Sequence, residues 1–313
     1  MSRLTVNAYM KGIPPGNSNS EKPRLLKYFI EGVCKSGDDG KVIDNFHHYP
    51  SDVAILQGFV HPQSKHVPHL DLRRQVLENQ KNKNKRTIIA DANLFLYADP
   101  SNTRTYLRYS YDGVFCDSGE YCWDHPDPRR WQQIQKDLGL KLQPNRKDGN
   151  HILICCQRDG GWSMEGKHVV PWLHPMILRI KRVTDRPIRI RLHPGDKKAK
   201  DHALKISRLG HNNVTISERT RPLMADFAGA HCVVNHNSSP TVAAAIEGIP
   251  TFVTDPMKAQ AGPVSHTDLN EIENPRHFDR ETWIQRIAMC HWRLDELKSG
   301  ACWQHMKNWA ILK

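Results

Sequence analysis

The chain has 313 residues, and no apolar run approaches the ~20 residues that a membrane-crossing helix needs. Its opening stretch, MSRLTVNAYMKGIPPG, lacks the apolar core of a secretory signal, so the expected setting is the cytoplasm. Eight cysteines are too few for a disulfide scaffold, and none forms a CxxC pair, which argues against a structural zinc site. They read as reduced core or half-exposed thiols. There is no internal repeat, no basic tail and no low-complexity tract beyond the KNKNKR at 81–86. The loop GIPPGNSNS lacks a GxGxxG pattern. Asp38-Asp39 and the pair Asp124 and Asp127 do not follow apolar strands, as a metal-binding DxD pair does.

What is present is a globular balance with surplus positive charge. Hydrophobic residues make up 38% and charged residues 25%, enough apolar content to exclude wholesale disorder. Lys and Arg number 45 against 33 Asp and Glu, a formal charge of +12. Both halves share the excess, so it belongs to folded surface. It is densest over Arg73–Arg86 and Arg179–Lys200. Such a surface attracts polyanions: nucleic acid, acidic membranes or nucleotide phosphates. It also fits a soluble protein of high pI with no such partner.

The segments alternate between strand-like and helix-like. LTVNAYM, DVAILQGF and RTIIADA predict strands, and DGVFC a further short one. PRLLKYFIEGVCKSG, HLDLRRQVLENQ and PRRWQQIQKDLG predict helices. The polar stretch QPNRKDGN at 143–150 predicts a linker. HILICC, RPIRIRL, NVTIS, HCVVNH and IPTFVTD then predict strands, alternating with helices around 175–184, 199–210, 222–229 and 240–247. From about residue 280 the chain predicts two Trp-rich helices. This is β-α alternation twice over: an α/β fold of two Rossmann-like domains, with ligands at the C-terminal ends of parallel strands.

Three motifs stand at such ends. In HCVVNHNSSPTVAAAIEGIPTFVTD, a strand runs into Ser238-Ser239, then a helix opening on Pro240 and Thr241 and closing at Glu247-Gly248. Free backbone N–H groups and two hydroxyls there suit a phosphate; the same serines also serve as ordinary N-caps. Upstream, Arg191-Leu192-His193-Pro194 ends a strand, where His193 can donate to a phosphate oxygen or simply satisfy a turn. After HILICC comes Arg158-Asp159-Gly160-Gly161-Trp162. Gly161 admits close backbone approach, Arg158 can neutralise a phosphate and Trp162 can stack on a base or sugar; an ordinary turn reads the same way.

Taken in order, these motifs resemble the nucleotide-sugar half of GT-B glycosyltransferases, in particular the capsular-polysaccharide group with HP and SS motifs. The resemblance covers about residues 150–310. It implies that His193, Ser238 and Ser239 hold the donor phosphates, with Thr241 beside them. Glu247 stands where many such enzymes contact the donor ribose. It further implies an acceptor domain over 1–147, a donor domain over 148–280 and helices at 281–313 packing back on the first. The expected co-substrate is a nucleotide sugar, UDP favoured, with no other cofactor and no metal. The expected mechanism is inverting, in a monomer.

An inverting transfer needs a base for the acceptor hydroxyl. Asp91, at the end of RTIIAD, is the first candidate, Asp117 the second, and Asp52 and His61 the third. The acceptor is the open choice. Arg73, Arg74, Lys81, Lys83, Lys85 and Arg86, with Arg104, Arg108, Arg129 and Arg130 interleaved among aromatics, suit duplex DNA with a flipped base. Bacteriophage enzymes that glycosylate 5-hydroxymethylcytosine are similar GT-B proteins, and that DNA is the preferred acceptor. A polysaccharide or small acceptor is the alternative, as is a non-catalytic nucleic-acid-binding module.

Overall fold

The computed structural model describes residues 3–13, 22–61, 64–98 and 106–310. They divide into two compact units, Met1–Leu138 with Gln285–Lys313, and Gly139–Ile284. In chain order the first unit contributes β1 (Thr5–Tyr9), α1 (Lys22–Lys35), β2 (Asp39–Ile43), β3 (Val53–Gln57), α2 (Pro68–Asn82), β4 (Arg86–Asp91), β5 (Tyr106–Tyr111) and α3 (Pro128–Leu138). The second holds β6 (His151–Cys155), α4 (Val169–Lys181), β7 (Ile188–Arg191), α5 (Ala199–Arg208), β8 (Val214–Ile216), α6 (Leu223–Phe227), β9 (Ala230–Asn235), α7 (Pro240–Ile246) and β10 (Thr251–Val253). The helix α8 (Arg280–Met289) leads back to the first unit, which ends with β11 (His291–Arg293), α9 (Leu294–Ser299) and α10 (Ala301–Ala310).

The first unit is a six-stranded sheet in the order β11-β5-β4-β3-β1-β2. The β1 to β4 strands run parallel, β5 is antiparallel to β4, and β11 is antiparallel to β5. Its core joins Val6, Ala8, Leu25, Phe29 and Val53 to Trp303 and Met306 from the end of the chain. Gly32 makes that junction possible: a Cβ there would sit 1.9 Å from the Leu297 carbonyl oxygen. The sheet departs from the expected one in three places. DGVFC is a turn, and the strand lies just before it, in YLRYSY. All six of those residues are buried, so the aromatic and basic side chains that suggested a nucleic-acid face pack inside. The other two unexpected strands, β2 and β11, are five and three residues long and carry charge, so no hydrophobic alternation announces them.

The second unit is a five-stranded, wholly parallel sheet, β10-β9-β6-β7-β8, of the doubly wound type. Ile152, Ile154, Ile188, Ile190, Cys232 and Val234 fill its centre. Near-continuous apolar runs are what strands covered on both faces require. The α4 helix begins at Val169, earlier than expected, and tolerates Pro175 in its interior. Gly248 ends α7 at φ +75°, and a Cβ there would meet the Pro144 carbonyl oxygen at 2.0 Å.

Candidate functional site

The loops that leave β6, β7, β9 and β10 at their C-terminal ends gather the sequence motifs of the second unit. Cross-loop hydrogen bonds organise them. The Asn235 side chain donates to the Cys155 carbonyl (2.6 Å) and to Ser238 Oγ (2.8 Å), while its Oδ1 accepts the Ser238 N–H. Gln157 donates to Ser163 Oγ and to Asn237 Oδ1 (both 2.9 Å) and accepts the Asn237 N–H (3.0 Å). Asn237 in turn donates to the Ser163 carbonyl and to Asp255 Oδ2 (3.1 Å). All three amides are buried, so each lost bond strands a polar group. The result is a rigid frame under the Ser238-Ser239 turn.

On that frame the Ser238 hydroxyl accepts from Asn235 and keeps its proton for an outside acceptor. Ser239 is the N-cap of α7, is exposed and makes no side-chain cap bond. Thr241 is buried, and its hydroxyl donates to the Ser238 carbonyl at 2.8 Å. It therefore shapes the turn rather than facing a ligand.

The β7 exit supplies a neutral donor. The Gly195 N–H donates to His193 Nδ1 at 3.0 Å, which leaves the ring proton on Nε2. Burial, then the neighbouring Arg158 cation, holds the His193 pKa below that of a free imidazole. Arg158 is exposed, and its guanidinium lies 3.1 Å from where a Cβ on Gly195 would stand. Arg158 and His193 thus sit together as cation and N–H donor, in reach of one anion. Asp159 fixes this loop: it accepts the Val169 N–H at 2.9 Å and pairs with His168 and Lys198 at 3.3 Å each. Burial raises its pKa, but those three bonds outweigh it and hold the carboxyl below the usual range. Gly161 closes the turn onto the Arg158 carbonyl. The Trp162 side chain lies outside the described residues.

Two further candidates stand apart from this group. Arg191 donates to Asp226 Oδ2 at 2.6 Å and to the Arg221 carbonyl. Asp226 is fully buried and also takes Arg221 (2.9 Å) and Ser217 Oγ (2.6 Å), so Arg191 belongs to an internal ion network. Glu247 lies at the other end of α7 from the serines, about 10 Å along the axis. Burial raises its pKa, and the facing Arg146 opposes that.

In the first unit, Asp91, Arg108 and His291 form one transverse row across β4, β5 and β11. Arg108 is buried and donates to Asp91 Oδ2 at 2.5 Å. His291 accepts the Leu94 N–H, and burial drives its pKa down to about 3, so it stays neutral beside the guanidinium. Asp117 is exposed on the turn that follows β5. The cations read as a DNA track are mostly committed. Arg74 pairs with Asp71 and donates to the Ser64 and Lys65 carbonyls. Lys85 pairs with Asp52, and Arg86 with Asp112 and Glu120. Arg73 is half-buried, Lys83 is exposed, and Arg104 lies outside the described residues.

Sequence reasoning reached the serines, His193 and Arg158 but not Gln157, Asn235 and Asn237. The cluster of Asn and His around the serines was the available signal. Among the described residues no helix is long and apolar enough to cross a membrane.

No protein-family model matches the sequence, and no curated protein sequence matches it. Solved structures do resemble the fold. Against KpsC of Thermosulfurimonas dismutans, a β-Kdo 2,7-transferase, the TM-score is 0.55 at 14% identity, over 97% of this chain and 99% of that one. The β-Kdo 2,4-transferase of the same organism's KpsC gives 0.48 at 10%, over 92% and 99%. The UDP-GlcNAc 2-epimerase of Methanocaldococcus jannaschii gives 0.32 at 11%, over 99% and 100%. At such identity the first of these likenesses shows the fold alone: the chain is an α/β protein of two Rossmann-like units, a two-domain fold of the GT-B type.

Proposed function

We propose that the protein transfers a glycosyl group from a nucleotide sugar, held by the second unit, to a hydroxyl of a saccharide acceptor. The observation that carries this reading is that the exits of the adjacent parallel strands β7, β6 and β9 present Arg158 and the His193 Nε2–H side by side and the Ser238 and Ser239 hydroxyls at the same end of one sheet. Together they offer a cation and three neutral donors to the phosphate that leaves with the nucleotide. UDP is the favoured nucleotide and CMP the second to test. The Kdo transferase likeness adds an acidic sugar to the donors worth assaying. In the first unit Asp91 is the proposed base, oriented by Arg108. Hydroxymethylated DNA is the less favoured acceptor, because Arg74, Lys85, Arg86 and Arg108 are held by neighbouring carboxylates.

The test is mass spectrometry of products from UDP- and CMP-sugars offered with oligosaccharide acceptors and, separately, with DNA containing 5-hydroxymethylcytosine. A sugar-sized mass gain on an oligosaccharide supports the reading; a gain on the DNA alone replaces the acceptor. Asp91→Asn is expected to lower turnover by about 10²-fold with nucleotide affinity unchanged. Near-normal turnover would move the base elsewhere.

A further inference from the structure

The solvent faces of α4 and α5, in the second unit, carry one pattern twice. Along α4 and its C-cap the residues at a spacing of four are His174, Leu178 and Arg182. On α5 they are Lys200, Leu204 and Arg208. Four residues is about one helical turn, so each set forms a stripe along one side. The opposite sides are buried, by Leu173, Ile177 and Ile180 on α4 and by His202 and Ile206 on α5. The two helices pack side by side. A hydrogen bond between His174 Nδ1 and His211 Nε2 (3.0 Å) ties α4 to the turn after α5.

Both leucines are unusually open: Leu178 is 40% exposed and Leu204 51%. The cations around them are equally open, and Arg182, Lys200 and Arg208 make no ion pair among the described residues. The one acid of α5, Asp201, is neutralised by Lys205 at 2.8 Å. The face therefore combines uncompensated positive charge with two protruding aliphatic side chains.

We infer that the α4–α5 face docks the protein on an anionic lipid bilayer. Phosphate headgroups answer the arginines and lysine, whose long stems can reach up to them while the leucines enter the acyl boundary. The alternatives answer only half of the pattern. A nucleic acid would pair with the cations but gives an aliphatic side chain nothing to enter, and the rings on this face, His174 and His211, are engaged with each other. A second copy would cover the leucines but bring the same cations face to face across a twofold axis. This surface is separate from the nucleotide-sugar site, and the inference does not depend on it.

The test is co-sedimentation of the full chain with phosphatidylcholine vesicles, with and without phosphatidylglycerol as one third of the lipid, at low and high salt. The expected result is binding to the anionic vesicles only, weakened by salt. Two variants dissect it. Arg182→Glu with Lys200→Glu and Arg208→Glu should lose at least about tenfold in partitioning. Leu178→Asn with Leu204→Asn should lose several-fold while keeping the salt dependence. No partitioning of the parent, or parent-like binding by either variant, overturns the inference. So does tighter binding of an oligonucleotide than of vesicles, lost in the charge variant and kept in the leucine variant. A concentration-dependent dimer that the leucine variant abolishes, without vesicle binding, assigns the face to a second copy instead.

Discussion

The two units have nearly equal basic residue content, and ion pairs engage cations in both, but they differ in where particular cations stand. In the first, cations are closed into pairs: Arg108 with Asp91, Arg130 with Glu296, Lys307 with Asp38, Arg86 with Asp112 and Glu120. In the second, one buried carboxylate, Asp226, gathers Arg191, Arg221 and, at 3.9 Å, Arg189, while Arg158, Arg182, Lys200 and Arg208 stay exposed. Net charge measures neither arrangement. Its availability to a ligand depends on pairing, because a cation already bonded to a carboxylate offers little field to a distant anion. In the second unit the exposed Arg158 stands next to polar loop residues that are braced against each other, as a preorganised anion site requires.

The comparison can be broken most severely at Asp226. Asp226→Asn leaves three guanidinium groups around a buried neutral amide and should destabilise the second unit by about 3–5 kcal/mol in urea unfolding. A loss well under 1 kcal/mol would show that the network is not organised around that carboxylate. Acid should act next, and on the first unit. Burial lowers His291 to about 3 and His305 to about 4, against about 6.5 in the unfolded chain. The unfolded state therefore binds more protons between those values, so stability falls as pH drops from about 6.5 towards 4, by roughly 3 kcal/mol for each of the two groups. His305→Gln should flatten that slope in pH-dependent melts; an unchanged slope would place the acid sensitivity on other groups.

A smaller effect sharpens the functional side. His193→Ala should weaken UDP or CMP binding by about 1–3 kcal/mol in calorimetry without lowering the melting temperature. Unchanged affinity would remove His193 from the site. Smallest of all, Lys85→Ala breaks a half-exposed pair with Asp52 and should cost only about 0.2–1 kcal/mol, with heparin retention hardly changed. A marked drop in retention would return that stretch to the candidates for polyanion contact.

The legible parts of the sequence were those written locally. The strand, polar turn, Pro240 and Ala-rich helix lie within one continuous segment, so α7 and its serines were visible before any tertiary contact was known. The parallel strands of the second unit announced themselves as apolar runs for the same reason. What escaped depended on partners far along the chain. YLRYSY reads as a basic aromatic surface, and its Tyr109 and Tyr111 are buried because Phe29, Trp303 and Met306, from distant helices, pack on that face of the sheet. Gln157 and Asn237 are eighty residues apart in sequence and meet only because parallel strands end side by side.

By itself, then, the sequence determined the α/β alternation and the position of the Ser238-Ser239 turn, since each follows from short-range periodicity and turn chemistry. Tertiary structure alone decided which charges remain free. Arg108 and Arg158 are the same residue type in the same basic chain. One is sealed against a carboxylate on the neighbouring strand, and the other stands exposed beside an imidazole. That difference is set by which side chains the fold brings within a few ångströms, where Coulomb and hydrogen-bond energies are decided.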